Sequence, residues 1–130
     1  MSPYACQRLA LATLRPTEHV NDDEAARLAD DMRRDGVQRR PVLVERASLA
    51  ILDGHHRFRA AQALGLSRIN AVIIDYDDPR LTLASWTARV FTRQEVCAAA
   101  CHGALLPAKS TRHILNPPLP DMPVALSALA

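Results

Sequence analysis

The 130-residue sequence lacks any uninterrupted apolar run long enough to cross a membrane, and its N-terminus lacks the basic-then-apolar order of a secretory signal. No membrane association is expected, and the expected location is cytoplasmic. Charge of one sign is also scarce. A net charge of +2 is too small to supply the basic footprint of a nucleic-acid binder, so no nucleic-acid partner is expected. Cysteine is limited to Cys6, Cys97 and Cys101, an odd number in a chain long enough to fold without staples, which predicts reduced thiols. Cys97 and Cys101 share a helix face, but His102 turns away from it and a fourth ligand is missing, which argues against zinc. The Gly-x-x-x-x-Gly-Lys-Ser/Thr loop and the protein-kinase motif set are both missing, which excludes an ordinary P-loop enzyme and a protein kinase.

What is present centres on Ala50-Ile51-Leu52-Asp53-Gly54-His55-His56-Arg57-Phe58-Arg59-Ala60-Ala61-Gln62-Ala63-Leu64-Gly65. An apolar strand ends at Asp53-Gly54, and a helical pattern (Phe58, Ala61, Leu64) begins at once and stops at Gly65. The start of a helix carries unpaired N–H groups and the positive end of the dipole, so it attracts phosphate. Gly54 permits close approach of a ligand to the backbone. Arg57 can clamp an anion with two donors, and Asp53 can hold Mg²⁺ or accept a proton. A merely structural turn would leave the histidines and arginine solvated; five such residues packed at one strand–helix junction favour a functional turn.

The rest of the chain reads as a single α/β domain over residues 1–130, with 104–130 a proline-rich C-terminal segment. Leu9–Leu14 reads as a first strand closed by Arg15-Pro16. Asn21 and Glu24 have capping-box spacing before a helix with Ala25, Leu28 and Met32 on its buried face and Gly36 at its end. Val42–Glu45 and Leu49–Leu52 form a predicted hairpin, and Ile69–Asp75 is the clearest buried strand. Leu81–Trp86 is too short to assign to helix or strand. Thr92 and Glu95 open a last helix ending near Gly103, and beyond Leu106 the prolines make regular structure doubtful.

Groups able to do chemistry fall at Glu18, at the Asp53–Arg57 turn, at Trp86 and at Lys109-Ser110-Thr111-Arg112-His113. Phosphoryl transfer asks for cations and backbone donors around the phosphates, a magnesium ion, and a carboxylate that orients or deprotonates the nucleophile. The helix-start turn can meet the first two needs and Glu18 or Asp53 the third, while Thr111, Arg112 and His113 can hold the charged end of an acceptor.

These residues resemble a known family. The order strand, helix, hairpin, Asp-Gly-His-His-Arg helix, strand is similar to the nucleotide-binding domain shared by ParB-type proteins and sulfiredoxins. Within that superfamily the chain resembles the free L-serine kinases, through Leu14-Arg15-Pro16-Thr17-Glu18, Asp35-Gly36, Pro41-Val42-Leu43-Val44, the central motif, Ala63-Leu64-Gly65, Ser85-Trp86, and Leu105-Leu106-Pro107 through Leu115. The resemblance implies a ParB/sulfiredoxin-like fold with a small mixed sheet flanked by helices. It implies an enzyme that converts L-serine to O-phospho-L-serine with Mg²⁺ and either ATP or ADP. Glu18 matches the glutamate that acts on the serine hydroxyl, and Asp53 is implied at the phosphates and the metal. Gly54, His55, His56 and Arg57 are implied at the nucleotide phosphates. Trp86, Lys109, Ser110, Thr111, Arg112 and His113 are implied around the amino acid, with Arg112 the natural partner of its carboxylate. Archaeal members are considerably longer, which points to a minimal version or one working with a second copy or a partner subunit.

Other readings compete. A ParB-like DNA-associated regulator would need a helix-turn-helix after the nucleotide fold, and the proline-rich end offers none. A sulfiredoxin would need a cysteine where Gly54-His55 stands. A nucleotide or haem sensor without turnover would keep the fold and the histidines.

Overall fold

Strands β3 (Val42–Glu45) and β5 (Arg68–Ile74) read as nearly continuous apolar runs because both faces of the sheet they form are covered. In the computed structural model, which describes residues 3–87 and 89–130, they lie side by side in parallel at the centre of a four-stranded mixed sheet. Its order is β1 (Cys6–Ala10), β5, β3, β4 (Ile51–Asp53), with both edge strands antiparallel to their neighbours.

Alternation along the strands assigns the side chains to two layers. Val42, Val44, Ile51, Ile69 and Ala71 pack with Phe58 and Ala61 of helix α2 (His55–Ala63). On the opposite face, Leu43, Leu52, Val72 and Ile74 pack with Val96 and Ala100 of α3 (Arg93–His102), and with Leu81 and Leu115. Helix α1 (Asp22–Asp35) lies against α2 through Ala29, Met32 and Ala60. Its acidic first turn and basic last turn complement the helix dipole, and Gly36 ends it in the left-handed conformation. The mixed α/β fold is the expected one. Among the described residues no helix is long and apolar enough to cross a membrane.

Three expectations need correction. The first strand is Cys6–Ala10, not Leu9–Leu14: at Leu11 the backbone N–H turns to the Ser67 carbonyl, and Leu11–Thr13 coil into a short 3₁₀ turn that buries Leu11. Only half of the Asn21–Glu24 capping box forms. The Asn21 side chain accepts from the Glu24 N–H at 3.1 Å, but the Glu24 carboxylate pairs with Lys109 instead. The proline-rich tail is ordered. Between its prolines, β7 (Arg112–Leu115) pairs antiparallel with β6 (Leu81–Ala84), and β8 (Val124–Ala125) pairs with β2 (Val37–Gln38). Strand β6 also resolves the Leu81–Trp86 ambiguity. At Thr92 the second capping box is complete.

Candidate active site

Gly54 sets the geometry of the central turn. Its φ of +101° lies in the left-handed region, and a β-carbon there would sit 2.6 Å from Val42 Cγ1 and 2.8 Å from Arg57 Nη2. The chain can therefore reverse directly from β4 into α2 only with glycine at this position. No side chain caps α2, and its hydrogen-bond ladder begins with Phe58 N–H to the Gly54 carbonyl. That leaves the N–H groups of the first turn, His55 to Arg57, for an anion.

Beside them the Arg57 side chain is mostly buried, and its Nε has no hydrogen-bond partner among the described residues. Its Nη2 lies 3.6 Å from the exposed Asp53 carboxylate, and burial draws the guanidinium below its ordinary pKa. A buried cationic donor without an acceptor is costly, and a phosphate oxygen would supply one.

Glu18 is buried at 6% exposure. Its Oε1 accepts from the backbone N–H of Ser110 at 2.7 Å and of Thr111 at 3.1 Å, with the Ser110 hydroxyl 3.2 Å away. Burial raises its pKa, and the donors of Thr111 and Ser110 pull it partly back. The tail delivers those donors because Leu106 pairs with Glu18 in a short parallel bridge. Oε2 has fewer commitments, its neighbour being His55 Nδ1 at 3.4 Å.

The two motif histidines both turn Nε2 toward the segment that carries Glu18. His55 accepts from the Thr17 N–H at 3.0 Å, and His56 from the Asn21 N–H at 3.1 Å. Burial first, then the nearby His113 and His56, depresses the His55 pKa to about 3, so the buried ring is neutral. Lys109 reaches Glu24 at 3.0 Å.

A cleft of about 520 Å³ opens over these groups, lined by Glu18, Gly54, His55, His56, Arg57 and Lys109 among others. A second, of about 500 Å³, is lined by Arg40, Arg112, His113 and neighbouring apolar residues. Asp53, Trp86 and Thr111 line both. At this junction the Thr111 hydroxyl is buried without a hydrogen-bond partner among the described residues, and the Arg112 guanidinium lies 4.2 Å over the exposed Trp86 ring.

His113 behaves differently from its neighbours in the tail. Strand alternation sends Arg112 outward and His113 inward. There burial raises the Tyr76 pKa, and its hydroxyl shares a hydrogen bond with His113 Nε2 at 2.7 Å. Burial lowers the His113 pKa to about 4, against the opposing pull of the Leu52 carbonyl and Asp53.

The sequence pattern of the ParB N-terminal domain matches residues 4–88. The chain belongs to the ParB N-terminal domain family. A "ParB-like protein" of Sulfolobus acidocaldarius is 35% identical over 86 residues, which cover 66% of this chain and 43% of that protein. An "ATP-dependent L-serine kinase" of Staphylothermus marinus is 32% identical over 77 residues, covering 56% of this chain and 31% of that protein. The matched stretches thus span less than half of these relatives. A free serine kinase solved in complex with AMP superposes with a TM-score of 0.84 at 17% identity, covering 98% of this chain and 93% of that one. It shares the fold across the ParB N-terminal domain and through the tail.

Apart from Ser110, every site residue singled out in the sequence lines one of the two clefts of this ParB-family domain, and their contacts join Glu18 with His55, Ser110 and Thr111, Asp53 with Arg57, Trp86 with Arg112, and His56 and Lys109 through Glu24. Sequence reasoning missed Thr17, Glu24 and Tyr76, which hold His55, Lys109 and His113. Only Glu24 left a trace, as the unfinished capping box. Among the described residues no three His, Cys, Asp or Glu side chains gather as metal ligands, and the cysteines form no disulfide.

Proposed function

We propose that this domain is a nucleotide-dependent kinase for free L-serine, transferring a phosphoryl group from ATP or ADP to the serine hydroxyl to give O-phospho-L-serine. The observation that carries the proposal is the shared opening of two unlike groups. The buried carboxylate of Glu18 and the anion-ready start of α2 face one cleft, which joins a second at Asp53. One cleft holds the phosphates and the other admits the amino acid. The relatives named as L-serine kinases support the same reading.

In this mechanism the first-turn N–H groups of α2, with Arg57, take the charge of the transferred phosphoryl group. Glu18, through Oε2, takes the proton from the serine hydroxyl as its oxygen attacks phosphorus and the shortened nucleotide leaves. Arg112, its guanidinium already held over Trp86, pairs with the serine carboxylate through two parallel hydrogen bonds, and Thr111 offers its buried hydroxyl. Asp53 suits magnesium: its carboxylate is exposed at the junction, and Mg²⁺ is commonly held by one carboxylate together with phosphate oxygens and water. When bound, that ion neutralises phosphate charge.

The test is purified protein with Mg²⁺, L-serine and either ATP or ADP, with O-phosphoserine measured by mass spectrometry. Serine-dependent product that disappears in Asp53→Asn supports the kinase and identifies the donor. Nucleotide binding without product from folded protein replaces it with a nucleotide-binding regulator.

A further inference from the structure

His55 opens α2 and sits in the motif that the sequence assigns to phosphate, yet both of its ring nitrogens are engaged inside the protein. Nε2 faces the Thr17 backbone N–H at 3.0 Å, and a backbone N–H can only donate. The Thr17 hydroxyl, also 3.0 Å from Nε2, gives its single proton to the Ile51 carbonyl at 2.9 Å. Nε2 is therefore the acceptor, and the neutral ring carries its proton on Nδ1. That Nδ1–H faces Glu18 Oε2 at 3.4 Å, with both side chains under a tenth exposed. Because the ring is neutral, the contact is a donor beside a carboxylate and not an ion pair.

We infer that His55 is a positioning residue for Glu18: its Nδ1–H holds Oε2, the oxygen that the tail leaves untouched, and its imidazole is not a phosphate ligand. The inference rests on the kinase reading for the purpose of Glu18; the tautomer stands on geometry alone. Oε1 is pinned by the tail, and His55 is the counterpart that stops the carboxylate from turning about its last torsion. At 3.4 Å the contact is longer than a full hydrogen bond, as catalytic contacts often are before substrate closes the site.

Three measurements test it. Ring ¹⁵N shifts in histidine-labelled protein should show His55 protonated on Nδ1 and bare on Nε2; the opposite tautomer overturns the inference. In His55→Ala, kcat should fall about 10²-fold, the cost of a misaimed catalytic group, while the calorimetric Kd for ADP stays within about threefold. His55→Gln should recover part of kcat, since its amide can accept from Thr17 and donate to Glu18, and it serves as the folded variant if His55→Ala unfolds. A Kd for ADP raised about tenfold or more with kcat preserved is the signature of a phosphate ligand and overturns the inference. Turnover of the unaltered protein is measured first. Its absence defeats the kinase reading, whereas normal turnover with an unaffected His55→Ala variant defeats this inference alone.

Discussion

Gly54 and Glu18 show how single residues carry opposite loads at this site. A β-carbon at Gly54 would meet Val42 Cγ1, part of the buried sheet, and the Arg57 guanidinium, at a φ that L-residues rarely adopt. Gly54→Ala is expected to lose about 2–5 kcal/mol, combining left-handed strain of about 1–2 kcal/mol with overpacking of about 1–3 kcal/mol. Urea denaturation measures the loss, and a stability equal to the parent would show that the turn can relax. Glu18 is strained electrostatically instead. Burial holds its pKa above the ordinary 4.5, and a general base must be ionised to act. As pH falls through the raised value, Glu18 takes up a proton and activity drops, so the acid limb of kcat/KM, which reports the free enzyme, should lie above that of an exposed carboxyl. A kcat/KM–pH profile with its acid limb at or below 4.5 would remove Glu18 as the base.

At the scale of elements, legibility in the sequence follows the range of the interactions. The Thr92 cap, the Gly36 stop and the Val42–Glu45 strand were readable because their causes lie within a few residues: a side chain three positions away, a left-handed terminus, an apolar run covered on both faces. Strand β7 was not, because its partner β6 lies in a distant part of the chain and prolines surround it. The site shows the same divide. The Asp53–Arg57 turn is local, whereas Glu18 meets Ser110 across 92 positions and Tyr76 meets His113 across 37, with no local pattern to announce either contact. Yet once β7 is a strand, alternation divides the motif Thr111-Arg112-His113. Arg112 faces outward with its guanidinium over Trp86, and His113 is tied to Tyr76. Arg112→Ala should therefore raise KM for serine with little change in kcat. Losing a charge-assisted pair of about 1.5–3 kcal/mol corresponds to roughly 10- to 150-fold. Arg112→Lys should not restore it, since an ammonium cannot form the two parallel bonds. Steady-state kinetics over serine concentration decides; an unchanged KM would place the serine carboxylate elsewhere.

On the scale of the whole molecule, the segment after α3 is both a wall of the candidate site and a structural clamp. It supplies the donors on Glu18, crosses to β6, and runs on to β2 through β8. Its final turn reaches the start of β5, where Ser67 and Arg68 both donate backbone N–H groups to the Leu129 carbonyl, at 2.9 and 3.0 Å. The Leu129 side chain is fully buried. This anchoring has an energetic consequence that can be measured. Truncating a fully buried leucine costs about 2–5 kcal/mol where the surroundings cannot collapse. Leu129→Ala should lose stability in that range, with a lower urea midpoint and an unchanged m-value, because the cavity opens within one cooperative unit. The same variant should lower activity no more than its folded fraction does, since Leu129 touches neither cleft. A loss of under about 0.5 kcal/mol would mean that the last turn frays in solution. The tail would then be held to the fold by its earlier contacts, among them β7, β8 and the donors on Glu18.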